Sequence, residues 1–195
     1  MSAPPNEFYS EERWQNWLDR ITDEDLDPED EDSARLLLNL QDDAAIAVAK
    51  VVSAHDDGEI DADTAMEEIE EIREIVLSEV EFEDEEKELL VDDVQTSLVC
   101  VFYAAEEYVA NGAADDAGIE QYVRAAVDAE AEEDIDAALG YLVQAGTMII
   151  DGEELDFSIA EDLEYGLVST WVNGLDSLQS AMSDPEVVEE EEEDA

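Results

Sequence analysis

Acidic residues outnumber basic ones by 60 to 7 in this chain of 195 residues, which gives a formal net charge of -53. Repulsion among so many carboxylates opposes any compact state. Salt weakens that repulsion, because the screening length falls from roughly 10 Å at 0.1 M to roughly 3 Å at 1 M. We therefore expect a halophilic protein, stable only in a salt-loaded cytoplasm, whose carboxylates cover the surface.

Apolar residues make up 45% of the chain and argue against a disordered acidic polymer. Long stretches such as 34–52 and 89–105 repeat apolar residues at helical spacing. An acidic decoy for a basic protein, or a nucleic-acid mimic, would have a similar charge. We favour adaptation to salt, because it explains the charge without a partner and because a decoy would lose its binding at molar salt.

The seven basic residues are scattered singly, so they form no cluster that could replace the counterions of a nucleic acid. An anionic membrane surface would repel the chain. No apolar run reaches the roughly 18 residues of a membrane helix, and the N-terminus has no signal-type segment. The one cysteine, Cys100, lies in an apolar segment and predicts a buried thiol. We expect a cytoplasmic protein that binds neither nucleic acid nor membrane.

The pattern divides the chain into three parts. Residues 1–32 form an arm and an acidic linker, in which Ser10 is the N-cap of a short amphipathic helix. Residues 33–183 form a helical bundle domain, and the acidic residues 184–195 form a disordered tail. The fold class is all-α: a single compact bundle of about six core helices, judged from the helical periodicity, with a helical arm and the tail.

The core helices are predicted from caps and periodicity. The first has Ser33 as its N-cap, runs over Ala34–His55 and is apolar on nearly every side, which predicts a central position. The others run from Asp61 or Asp63 to about 80, and over about 84–109, 117–132, 135–150 and 158–182. Residues 134–145 are similar to a tetratricopeptide helix, but the pattern occurs once, so we favour a bundle over a solenoid.

The sequence offers no chemical motif, and we predict no catalytic residue, no cofactor and no metal site. The single histidine, His55, rules out His-based nucleophilic triads and Glu-x-x-His di-iron sites. Residues 53–64 depart from an EF-hand loop at three ligand positions and predict a helix–turn–helix joint. Asp42 and Asp43 interrupt the most apolar helix, which indicates a solvent-facing stripe or an ion pair.

The tryptophans of the arm are the best functional clue. Trp14, Trp17 and Leu18 share one face of the arm helix and are the candidate partner-docking residues. Aromatic side chains of this kind anchor interfaces. The alternative, which we favour, is that the arm folds back on its own bundle.

Four segments carry a family resemblance: residues 8–17, 34–43, 95–108 and 171–182. With them the chain resembles an uncharacterised haloarchaeal family, the domain of unknown function DUF2150. The resemblance implies an archaeal, salt-loaded cytoplasm. It brings no known activity and no site residues.

The function predicted from these observations is non-enzymatic. We expect a protein-interaction module that binds an unknown protein partner, or itself, through helix faces. The alternative is an enzyme or metal-binding bundle that uses carboxylates alone. Its mark would be several carboxylates with raised pKa values in one dry pocket.

Overall fold

The computed structural model describes residues 8–27 and 29–183, and within them all regular structure is helical, which confirms the all-α prediction. The helices are α1 Glu11–Asp23, α2 Glu31–Asp56, α3 Ala62–Val76, α4 Glu85–Asn111, α5 Ile119–Ala131, α6 Ile135–Ile150, α7 Ser158–Glu161 and α8 Leu167–Ser183. Among the described residues, no helix is both long and apolar enough to cross a bilayer. The predicted tail, 184–195, lies outside the described residues.

Local signals explain most of these bounds. Four side chains accept a hydrogen bond from a backbone N–H in the first turn of the helix that follows them: Ser10, Asp61, Asp84 and Asp134. Three glycines adopt positive φ just after α2, α4 and α6: Gly58 at 75°, Gly112 at 81° and Gly152 at 107°. A residue with a Cβ would be strained at these positions, so each glycine ends its helix as predicted.

Two predicted bounds, the start of α2 and the end of α3, are wrong. α2 begins at Glu31 with Asp30 as its N-cap, and Ser33 lies inside the first turn, where its hydroxyl accepts from the N–H of Asp27. α3 ends at Val76 rather than at Val80. The Gln95 side chain of α4 donates to the carbonyls of Val76 and Ser78, both at 2.8 Å, and so satisfies this end of α3.

The predicted continuous helix over 158–182 is also wrong, because it breaks between α7 and α8. Oε1 of Glu130, from α5, accepts a hydrogen bond from the N–H of Val168 and caps the new start. A Cβ on Gly166 would lie 2.6 Å from this Oε1, so the glycine leaves room for the carboxylate. Leu167, which the periodicity predicts to face the core, is 37% exposed.

The centre of the bundle is α4 rather than α2. It packs against α2, α3, α6 and α8, whereas α2 packs against α3, α4 and α8. The contact between α2 and α8 brings together helices from opposite ends of the bundle domain. A linear stack of helix pairs would keep these two apart, so the contacts are those of a compact bundle.

The directions of the helices follow from their connections. Short connections make neighbours antiparallel from α2 to α6, so α2, α4 and α6 run the same way. α8 starts beside the end of α5, at Glu130, and its Gln179 exchanges hydrogen bonds with Leu155 just after α6. α8 therefore runs parallel to α2, α4 and α6, and the N-terminal halves of α2, α4 and α8 lie together.

Two glycines allow α6 and α8 to approach α4 closely. A Cβ on Gly174 would lie 2.0 Å from the carbonyl oxygen of Ser97, and one on Gly146 would lie 2.5 Å from the Cβ of Ala104. Cys100 is fully buried in α4, as predicted, and burial raises the pKa of its thiol. The close packing fixes the positions of α6 and α8 against the central helix.

Candidate functional site

The arm helix α1 lies on the bundle. Trp14 is 4% exposed, and Trp17 and Leu18 are half-buried against the core. The structure thus brings the three candidate docking residues together on the surface of their own bundle, in the folded-back arrangement. Their role in docking a partner stays a prediction.

A buried carboxylate on α2 holds the arm in place. Arg13 donates from Nε to Oδ2 of Asp43 at 2.9 Å, and its guanidinium also pairs with Oδ1. Trp17 donates from Nε1 to the same Oδ2, also at 2.9 Å. The Asp43 side chain is 5% exposed, so of the two predicted roles it has that of an ion pair. Burial first, and then the Asp43 carboxylate, raise the pKa of the neighbouring Tyr9.

The far end of the arm is attached as well. Nζ of Lys87, from the first turn of α4, donates to the carbonyl of Thr22 at 2.9 Å and to that of Glu24 at 2.7 Å. These carbonyls belong to the end of α1, where an ammonium complements the helix dipole. Two of the seven basic residues therefore serve to fix the arm.

An open groove of about 430 Å³ lies between the N-terminal halves of α2, α4 and α8. We call it the α2/α4/α8 groove. Its lining residues are Ala34, Leu37, Leu38, Gln41, Leu90, Asp93, Val94, Ser97, Tyr165, Ser169, Thr170, Asn173 and Asp176.

The floor of the groove is a closed polar network around Gln41, which is 8% exposed. Nε2 of Gln41 donates to Oγ of Ser177 at 2.9 Å and to the carbonyl of Asn173 at 3.1 Å. Its Oε1 accepts from Oγ of Ser97 at 2.8 Å. All three helices meet at this amide, so the network fixes their spacing. Because its donors and acceptors are already paired, the floor is suited to contact rather than to chemistry.

The rim of the groove exposes large apolar side chains. Leu38 is 52% exposed and Tyr165 is 88% exposed. Leu89, which precedes the lining residue Leu90 on α4, is 69% exposed. Scattered apolar residues are ordinary on a protein surface, but a group at the edge of a concave site is typical of a binding surface.

Carboxylates are sparse on two of the three helices that form the groove. α8 carries a single acidic residue, Asp176, and α2 carries none from Ser33 to Gln41. Elsewhere the surface is strongly acidic: the exposed side of α3 carries Glu67, Glu70, Glu71 and Glu74. These parts of α2 and α8 therefore present few carboxylates beside the apolar rim.

The charged edge of the groove is crowded. Burial, and then the nearby Asp42 carboxylate, raise the pKa of Asp176 above its ordinary value. The carboxylates of Asp42 on α2 and Asp176 on α8 therefore lie close enough to repel each other, and neither forms an ion pair among the described residues. A cation brought by a partner would relieve this repulsion.

A second groove, of about 460 Å³, lies between α3, α4 and α6. Its carboxylate Glu106 pairs with Arg73, and the Arg73 guanidinium also lies 5.8 Å from the centre of the Tyr103 ring. Burial raises the pKa of Glu106, and Arg73 opposes that shift. Because this charged pair is satisfied within the chain, it makes the weaker candidate for a partner.

Within residues 8–27 and 29–183, no three His, Cys, Asp or Glu side chains lie close enough to hold a metal ion. The segment that departs from an EF-hand forms the joint between α2 and α3, where Asp61 caps α3. His55 lies in the last turn of α2. The carboxylate-only alternative stays a prediction, as does the absence of catalytic residues.

Sequence reasoning missed the α2/α4/α8 groove, because its walls come from three segments far apart in the chain. One signal was present. Although longer acid-free runs occur at 44–55, 94–105 and 137–150, the acid-free run from Ser33 to Gln41 and the nearly acid-free 167–183 lie on two of the groove's walls. Their coincidence with apolar residues marks a surface that avoids charge.

A family model described as "Uncharacterized protein conserved in archaea (DUF2150)" matches residues 7–191. No curated protein and no solved structure matches the chain significantly.

Proposed function

The chain belongs to the archaeal family DUF2150, and we propose that it is a non-enzymatic protein-interaction module that binds its partner in the α2/α4/α8 groove. One observation carries the proposal: Leu38 and Tyr165 stand exposed at the edge of a groove in which two of the three helices, α2 and α8, are poor in carboxylates. The setting that we propose is the salt-loaded cytoplasm of a haloarchaeon.

The energetics of the rim support binding. Burying a large apolar side chain is worth about 2 kcal/mol relative to leaving it exposed. Salting-out ions increase this gain, whereas screening weakens long-range electrostatic attraction between partners. An apolar rim is therefore a more dependable source of affinity at molar salt than surface charge.

The geometry supports contact with a helix. Grooves between helices accept an amphipathic helix that inserts apolar anchors at helical spacing. The α2/α4/α8 groove is open, apolar at its rim and closed at its floor by the Gln41 network. The rim supplies contact area, and the floor supplies a fixed shape.

The test is site-specific photo-crosslinking in host cells grown at native salt. A benzoylphenylalanine at Leu38 should give a discrete protein adduct, identified by mass spectrometry, whether the partner is a different protein or another copy. The matched control carries the same group at Tyr141, which is 40% exposed on α6. No discrete adduct at Leu38, or the same adducts at both positions, would overturn the proposal.

A further inference from the structure

We propose that the occupant of the α2/α4/α8 groove is the same face of a second copy of this chain, so that the protein is a two-fold symmetric dimer. The inference rests on the proposed function, because it names the partner of the same site. It commits to self-association, with a different protein in the groove as the competing outcome.

Charge restricts where two copies can meet. Each carries a net charge of -53, and opposed carboxylates repel at contact distance even where salt screens the long-range field. α3 exposes a row of glutamates and is a poor surface for self-contact. α8 and the segment Ser33–Gln41 of α2 present a surface with few carboxylates that two acidic copies can bring together, with Asp93 of α4 beside it.

An arginine that has no internal partner within the described part of the chain lies next to this face, on the adjacent side of α2. Arg35 is exposed on α2, and among the described residues its guanidinium makes no ion pair or hydrogen bond. By contrast, Lys87 fixes the arm and Arg73 pairs with Glu106. With only seven basic residues in the chain, an exposed arginine without an internal partner is available for a carboxylate outside the chain.

In a two-fold symmetric dimer, Arg35 of each copy would form an ion pair with the other copy. Leu38 and Asp176 line the groove, on α2 and α8. Arg35, three residues before Leu38, lies on the adjacent side of α2, in a hollow that it shares with Asp30 and Asp32. In an isologous interface, each contact between two residues occurs twice. Arg35 of each copy then pairs with Asp176 of the other, where Asp42 crowds that carboxylate.

The shape of this face also fits a two-fold symmetric contact. Tyr165 is 88% exposed and lines the α2/α4/α8 groove, so a projection and a hollow occur side by side on one face. A two-fold rotation places the projection of each copy against the hollow of the other. Leu38 and Tyr165 would then be covered in both copies by one contact.

The experiment is sedimentation velocity on the full chain in molar KCl over a range of concentrations. The wild type should sediment as a dimer that dissociates on dilution. Leu38→Asp and Arg35→Glu should each lower the association constant at least tenfold. Combining Arg35→Glu with Asp176→Arg should restore most of the association, because the exchanged charges pair again. Tyr141→Asp, on α6, is the matched control and should stay dimeric.

Circular dichroism melts keep the test interpretable. Leu38, Arg35 and Tyr141 are exposed, so at a dilution at which the wild type is monomeric their variants should melt like it. A monomeric wild type at every concentration overturns the dimer, and so does a charge exchange that fails to restore association in folded variants. If Leu38 crosslinks to a different protein in the host, the proposed function stands and only self-association fails. If it crosslinks to nothing, both fail.

Discussion

Gly174→Ala tests the close packing of α8 on α4, which shapes the α2/α4/α8 groove. The new Cβ would lie 2.0 Å from the carbonyl oxygen of Ser97, and real Cβ contacts essentially never fall below 3.0 Å. The obstacle is backbone at the centre of the bundle, so α8 must move outward by about 1 Å or more. That displacement stretches the hydrogen bonds from Gln41 to Ser177 and to the Asn173 carbonyl.

The expected cost follows from three contributions. Overpacking costs about 1–3 kcal/mol, and each weakened hydrogen bond of the Gln41 network costs about 1 kcal/mol. The better helix propensity of alanine returns about 1 kcal/mol. We expect a net loss of about 3 kcal/mol, which lowers Tm by roughly 6–12 °C in a chain of this size.

The assay is thermal unfolding in molar KCl, followed by circular dichroism. Gly140→Ala is the matched control, since a Cβ there would meet nothing within 4 Å. It lies inside α6 and should stabilise the protein by about 0.5–1 kcal/mol. If Gly174→Ala raised Tm as Gly140→Ala should, the close contact between α8 and α4 would be refuted.

Three further predictions concern charge. Arg13→Ala should cost about 2 kcal/mol in urea unfolding, because it leaves the Asp43 carboxylate buried without its cation; the estimate is reduced because the Arg13 side chain is 41% exposed. The exposed Arg124→Ala should change stability by less than about 0.5 kcal/mol, and equal losses would contradict the structural role of Arg13. Folding raises the pKa of Asp176. The contribution of this carboxyl to the free energy of unfolding therefore falls as pH rises from its unfolded-state pKa to its folded-state pKa. Asp176→Asn should therefore stabilise the protein at pH 7 by no more than about 1 kcal/mol, measured at a dilution at which the wild type is monomeric, so that no pair with Arg35 of a second copy is lost; a lower Tm under these conditions would show that the crowding with Asp42 is absent. Lowering KCl from molar to about 0.1 M should unfold the domain, because screening is lost; an unchanged helical signal would contradict the halophilic interpretation.

Helix type and most helix ends were predictable, because they depend on short-range chemistry. Gly58, Gly112 and Gly152 end α2, α4 and α6 through their own backbone conformation. The break before α8 was not predictable from local pattern, since Glu130 of another helix supplies the cap. Ser33 has the composition of an N-cap but lies within α2.

The candidate site was less predictable than the fold. Periodicity places Leu38 on a helix but gives no information on whether a neighbouring helix covers it. That depends on the parallel arrangement of α2, α4 and α8, which the return of residues 151–166 along the bundle produces. An ion pair was one of the two roles predicted for Asp43. The pattern did not identify its partner, because Arg13 lies far away in the sequence, in the arm.

Hydroxyl-radical footprinting tests most directly whether the carboxylate-poor groove is the surface through which this protein binds. The rate of oxidation of Tyr165 would be compared between dilute purified protein and intact host cells, with Tyr141 as the internal reference. We predict fast oxidation of Tyr165 in the dilute sample, strong protection in cells, and little change at Tyr141. Equal oxidation of Tyr165 in both samples would contradict the account, because a groove that is open to radicals in the cell is not occupied there.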